Sequence, residues 1–201
     1  QFASSAASDV YKRQVIDCTP SGIGHLNKEH YYKKFSKDVN GFMAQGSEDG
    51  FGMKYARGIN DNILKKNSDE QFVQIVSCNT HNISCITKTI TIDGFGPENL
   101  IDGRYVCIRR ANDTSQAGSF IASPTVSNHP DDMFGSHHAK DASGLFATLG
   151  YDLNLFSSAM KVNSQYMHVL WFALKTREPI TLNDVKDCLL YTSPSPRDEK
   201  V

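Results

Sequence analysis

Cys78 stands where a chain can make a nucleophile. Gln71–Ser77 (QFVQIVS) runs into it with the character of a strand, and Thr80–Ile90 follows with the character of a helix. A cysteine at such a junction meets unbonded backbone N–H groups and the positive end of a helix dipole, which favour the thiolate, the reactive form. The same N–H groups can hold an oxyanion. The position also suits a small buried side chain, and that is the reading for Cys85 further along the predicted helix. A cysteine nucleophile needs a base or a charge partner. His168 opens the apolar run Met167–Leu174 (MHVLWFAL), a rigid strand on which a base could be held or a core histidine hydrogen-bonded. His137 and His138 follow the Ser-, Pro- and Asp-rich stretch Asp113–Asp132 and read as a loop pair, functional or merely solvated. Arg109 and Arg110 close the strand-like Arg104–Arg110 (RYVCIRR); adjacent arginines can receive a phosphate through charge-assisted bonds or serve as ordinary surface charge. The cysteine and histidine spacings do not match a metal-ligand pattern, so no metal site is expected.

These residues need a scaffold. Val15–Cys18 predicts a short buried strand, and Thr19–Gly24 (TPSGIG) a glycine-rich turn. Asn27–Ser36 reads as a polar helix with Tyr31, Tyr32 and Phe35 on one face, and Gly41–Ala44 as a second strand. Strand, turn, helix and strand in this order suit the later part of an α/β nucleotide-binding domain. The GxGxxG fingerprint itself does not occur in the chain. Gly50–Asp69 reads as loop and short helix, and Thr181 as a helix cap. The fold class expected is α/β, an incomplete Rossmann-type cofactor domain over residues 15–77, followed by an incomplete α+β catalytic domain over residues 78–187.

The 201 residues carry a net charge of -1, which gives no basic face for nonspecific nucleic-acid binding. No apolar run approaches the roughly 20 residues needed to cross a bilayer. Cys18, Cys78, Cys85 and Cys107 do not form a disulfide framework, which points to a reducing, cytoplasmic setting. The two ends read differently from the interior. Val10–Gln14 (VYKRQ) can be encoded by GTG TAT AAG AGA CAG. The reverse complement of that DNA, read one base later, encodes Cys-Leu-Leu-Tyr-Thr, the residues from Cys188 to Thr192. One DNA element in opposite orientations thus accounts for both ends, and both runs resemble translated sequencing-library adapters. Residues 1–14 and 188–201 are expected to be non-native tails, and the interior an internal fragment.

Taken in order, VIDCTPSGIG, AQGSE, VSCNT, RR, SHH, MH and REPIT resemble the archaeal-type (class II) phosphorylating glyceraldehyde-3-phosphate dehydrogenases, over essentially all of Val15–Asp187. The resemblance implies a cytoplasmic homotetramer that uses NADP or NAD, with a sugar phosphate and inorganic phosphate as partners and neither nucleic acid nor membrane. It implies Cys78 as nucleophile and His168 as catalytic base. It implies substrate contacts from Ser77, Asn79, Thr80, His137 and His138, and cofactor contacts from Arg110 and Ser47. The dinucleotide fingerprint would lie outside this chain, so the chain alone is expected to be inactive. A related semialdehyde dehydrogenase or acyl-phosphate reductase, and a non-catalytic remnant, are the alternatives. The sequence departs from the family pattern at Ser47 (usually Gly), His81 (usually Thr), Cys85–Ile86 (usually an Arg), and Gly135 and Ala139–Lys140 around the histidine pair. These departures bear on substrate more than on reaction class.

Overall fold

The computed structural model describes residues 14–46, 48–64, 71–111, 123–164 and 167–186. The chain divides into two compact units, Gln1–Cys78 and Asn79–Val201.

The first unit is built on a four-stranded parallel sheet: β1 (Gln14–Asp17), β2 (Gly41–Ala44), β3 (Met53–Tyr55) and β4 (Phe72–Ile75), in the spatial order β1-β2-β4-β3. Helix α1 (Ile23–His30) and a 3-10 turn (Tyr32–Phe35) carry the chain from β1 to β2. Phe42 and Ala44 alternate inward from β2, as a strand period of two requires. Phe42 stacks between Tyr32 and Phe72, with ring centroids 5.0 and 4.9 Å away, and Phe51 meets Phe72 edge-on at 5.6 Å. This aromatic stack is the core of the unit. Parallel strands joined through a helix make it a Rossmann-type α/β unit.

The second unit carries a mixed sheet in the order β6-β7-β5-β8, from β5 (Leu100–Arg109), β6 (Thr125–Val126), β7 (Leu155–Lys161) and β8 (Val169–Thr176). Central β5 pairs parallel with β7 and antiparallel with β8. Helix α2 (Cys78–Thr87) runs into a π turn (Lys88–Ile92), and α3 (His137–Ala147) packs on β7. The buried hydroxyls of Ser84 and Thr87 are satisfied by carbonyls four residues back, those of Thr80 and Ile83, each at 2.8 Å. Thr87 Oγ1 also meets the buried Tyr105 hydroxyl at 2.6 Å and fastens α2 to β5.

Several elements differ from the expected ones. α1 starts at Ile23 rather than Asn27, and of its aromatic face only Tyr32 turns into the core. Tyr31 and Phe35 are exposed, because the backbone leaves the helical region at Tyr31. β3 occupies part of the segment expected to be loop. His137 and His138 do not lie in a loop: they open α3, whose Ala139, Ala142, Leu145 and Phe146 form a buried stripe at helical spacing. Cys85 is exposed, not a core residue. β8 begins at Val169, so His168 precedes the strand. Thr181 does cap a helical turn over 182–186: its Oγ1 accepts the Asp184 N–H at 3.3 Å, and the Asp184 carboxylate accepts the Thr181 N–H at 2.8 Å. Of the two end segments, only Gln14 is described; it pairs with Gly41 at the edge of the sheet. Residues 1–13 and 187–201 lie outside the described residues, as does Ser47.

Candidate active site

The site residues fall into two groups, one in each unit. In the first unit they gather at the carboxyl edge of the parallel sheet, where open α/β sheets bind ligands. Asp17 ends β1 and organises the turn that follows. Its carboxylate accepts the Thr19 N–H and hydroxyl, the Asn27 amide at 3.0 Å and the Tyr32 hydroxyl at 2.7 Å. Burial pushes its carboxyl up, but these bonds outweigh that and hold it at about 2, so it stays an anion that clamps the glycine-rich turn. Gln45 follows β2 and donates to the Thr19 carbonyl at 2.6 Å, which joins the first two edge loops. Gly46 comes against the third: a Cβ there would lie 2.7 Å from Ser77 N. Only glycine allows that approach. The buried Gln74 side chain holds both ends of the loop, donating to the Gly46 carbonyl at 3.3 Å and accepting the Gly50 N–H at 3.2 Å.

Ser77 leads from β4 into α2, and Cys78 opens the helix. Cys78 is exposed, whereas Asn79 and Thr80 behind it are buried. Asn79 Oδ1 is buried with no hydrogen-bond partner among the described residues. A strand leading directly into a helix puts the thiol at the helix N-terminus, beside N–H groups that lack intrahelical acceptors.

In the second unit the first turn of α3, the end of β5 and the start of β8 supply the remaining residues. The rings of His137 and His138 lie 3.9 Å apart. Ser157 of β7 caps this helix from outside, accepting the Ala139 N–H at 3.0 Å and bonding the Ser136 hydroxyl at 2.7 Å. Gly135 makes the entry possible: its φ is +70°, and a Cβ there would lie 2.4 Å from the Ser157 carbonyl oxygen. His168 Nδ1 accepts the Arg110 N–H at 3.1 Å, across the ladder that pairs Ile108 with Val169. Arg109 Nε is buried and has no hydrogen-bond partner among the described residues.

His138 shows how these groups act on one another. Burial, then the charges of His137, Arg109 and His168, push its imidazole down to about 3. It is therefore a neutral hydrogen-bonding ring, and the Arg109 guanidinium supplies permanent positive charge beside it. A folded value far below the unfolded one means that the unfolded chain takes up the proton first. The stability His138 contributes is thus complete above about pH 6.5 and is lost as the pH falls toward about 3. H138N is expected to flatten the dependence of unfolding free energy on pH in this window by about 1.4 kcal/mol per pH unit, one proton's worth. Denaturant titrations of both proteins between these limits check it; equal slopes would contradict the assignment.

Among the described residues no group of three or more His, Cys, Asp or Glu side chains is placed to hold a metal ion. No described helix is long and apolar enough to cross a membrane.

The fold and these two groups define a class: a Rossmann-type α/β unit whose last strand runs into a helix headed by an exposed cysteine, followed by a unit with a mixed sheet. The chain is similar to proteins named glyceraldehyde-3-phosphate dehydrogenase. It is 31% identical over 175 residues to one from Methanobacterium formicicum, covering 87% of this chain and 48% of that protein. It is 31% identical over 177 residues to one from Methanobacterium bryantii, with the same coverage of 87% and 48%. It is 27% identical over 173 residues to one from Pyrobaculum neutrophilum, covering 86% of this chain and 46% of that protein. The chain spans about half the length of the curated relatives it matches. No protein-family model matches it.

Glu48 and Gln74, both buried and polar, were not anticipated. Gln74 carried a signal, a polar residue inside an otherwise apolar strand; Glu48 carried none beyond its place after a glycine-containing turn.

Proposed function

We propose that the full-length protein containing this chain is an archaeal-type glyceraldehyde-3-phosphate dehydrogenase, a phosphorylating, NAD(P)-dependent aldehyde dehydrogenase. The observation that carries this reading is the exposed Cys78 at the head of α2, directly after the last strand-to-helix step of the parallel sheet, in a chain aligned over most of its length with relatives of that name. In this reading residues 15–77 belong to the cofactor domain and residues 78–187 to the catalytic domain. The assembly is a cytoplasmic homotetramer, and the isolated chain is inactive.

The carboxyl edge of the sheet suits a dinucleotide. Gly22, where a Cβ would meet nothing within 4 Å, leaves open space at the turn after β1, Gly46 brings its loop close to the Ser77 backbone, and Ser47 lies next to Gly46 in sequence. The bound dinucleotide supplies the hydride acceptor. The protein's own residues do the rest. The Cys78 thiolate adds to the aldehyde carbon, and the carbonyl oxygen becomes an alkoxide. Oxidation of that adduct leaves a thioester on Cys78, and attack by inorganic phosphate releases an acyl phosphate and returns the thiolate. Arg109, His137 and His138 are assigned to the anionic groups of substrate and phosphate, and Arg110 to the cofactor. Ser77, Asn79 and Thr80 are assigned to the substrate.

For His168 the reading takes the role of a donor. Because its Nδ1 accepts the Arg110 N–H, the neutral ring carries its proton on Nε2. A ring in that state donates a hydrogen bond to the developing alkoxide and does not accept a proton at Nε2.

The test is an assay of the full-length protein with glyceraldehyde 3-phosphate, NAD or NADP, with and without inorganic phosphate. Dinucleotide reduction that needs phosphate and yields an acyl phosphate is expected. Oxidation that ignores phosphate would remove the phosphorylating step, and no oxidation with either dinucleotide would remove the reading.

A further inference from the structure

Glu48 is almost wholly buried, at 1% exposure, beside no lysine or arginine partner in a described ion pair. Its carboxylate is balanced instead by the N-terminus of α1. Glu48 Oε1 accepts the Gly22 N–H at 2.5 Å and Oε2 accepts the His25 N–H at 3.0 Å. Backbone N–H groups and the helix dipole there compensate a negative charge. The fit is tight: a Cβ on Gly24 would lie 2.9 Å from Oε2. The end of α1 that could have received a ligand's phosphate is thus already filled by the protein's own anion.

The backbone of Glu48 belongs to the edge loop. Its N–H donates to the Gln45 carbonyl at 3.1 Å, and its carbonyl accepts the Phe51 N–H at 3.0 Å. His25 adds a second strut, its Nε2 lying 2.8 Å from the Asp49 carbonyl and 3.9 Å from Glu48 Oε2. On the far side of the same loop, Gly46 lies against Ser77, backbone to backbone, with no flexible side chain between them. The loop is therefore held on one side by the N-terminus of α1 and seated on the other against the Ser77 backbone.

We propose that Glu48 is a positioning residue for the dinucleotide: by filling the N-terminus of α1 it fixes the edge loop against Ser77 at the place where the dinucleotide is held. This rests on the dinucleotide-dependent chemistry proposed above. Glu48 itself touches neither substrate nor cofactor. It acts through the loop that carries Gly46.

The experiment uses the full-length protein, wild type beside E48A and E48Q, with the KM for NAD(P), the KM for glyceraldehyde 3-phosphate and kcat measured separately. Circular dichroism reports folding. E48A removes both acceptors, and E48Q keeps one oxygen but turns an amide N–H₂ toward the other donor. The dinucleotide KM is expected to rise about tenfold or more in E48A and about threefold or more in E48Q, while the KM for the aldehyde stays within about twofold. A merely structural role would instead lower the fraction of active protein, and so apparent kcat, without moving the dinucleotide KM. Wild-type dinucleotide KM in a folded E48A, or in E48Q should E48A fail to fold, would overturn the proposal. So would an equal rise in both KM values. If the wild type itself shows no dinucleotide-dependent oxidation, the functional reading fails and this role falls with it; an active wild type with unaffected variants removes only the role of Glu48.

Discussion

C78A in the full-length protein is expected to lose about 10⁴-fold or more in turnover. Every bond-making step of the proposed reaction passes through the Cys78 sulfur. Without it there is no adduct to oxidise and no thioester for phosphate to attack. The substitution should leave the fold intact, because Cys78 is exposed and its sulfur fills no core volume. Loss of turnover with an unchanged thermal transition is therefore the expected pair of results. C78S should be nearly as slow, since a serine hydroxyl is a far weaker nucleophile at neutral pH. Iodoacetamide offers an independent check: alkylation at Cys78, located by peptide mass, should track loss of activity one for one. C78A with wild-type turnover would sink the assignment outright.

The second large effect concerns His168. H168A is expected to slow turnover about 10²–10³-fold, the usual cost of removing one donor to a developing oxyanion. The hydrogen bond from Arg110 N to Nδ1 separates a donor from a base experimentally. Glutamine at 168 reaches toward the Nε2 position with an amide N–H but cannot take up a proton. Asparagine reaches only toward the Nδ1 position. H168Q is therefore expected to recover about tenfold over H168A, and H168N none of it. A base at this position would leave all three variants equally slow. It would also give kcat an acid limb at an imidazole value, which H168A would lose. Equal rates for the three variants, together with that limb, would return His168 to the role of base.

Much of the scaffold was legible because its periodicities are local. β1, β2 and β4 lie where apolar runs and turn residues predict them, while β5 begins four residues before the expected Arg104 and α2 two before the expected Thr80. The misses share a physical cause. α3 contains histidine, serine and glycine, which are indifferent or poor helix formers, and it is held by packing: Ala139, Ala142, Leu145 and Phe146 are buried, the helix lies on β7, and its N-terminus is capped by Ser157 of that strand. β7 carries two adjacent serines at its centre, of which Ser157 is buried, and that burial depends on what packs against the strand. β3 is only Met53–Tyr55, too short for alternation to register, and it exists because β4 offers it an edge.

Cys78 shows the same division. By itself the sequence determined that a strand leads into a helix at this cysteine, and that the residues around it follow a recurring order, because strand and helix patterns and a run of motifs are properties of neighbours along the chain. Only the tertiary structure decided that Cys78 is exposed while Cys85 is not the core residue it resembles, that His138 is held neutral by burial beside His137, Arg109 and His168, and that Glu48 fills the end of α1. Burial, electrostatic neighbours and hydrogen-bond partners are set by residues far apart in the chain, and no local pattern carries them.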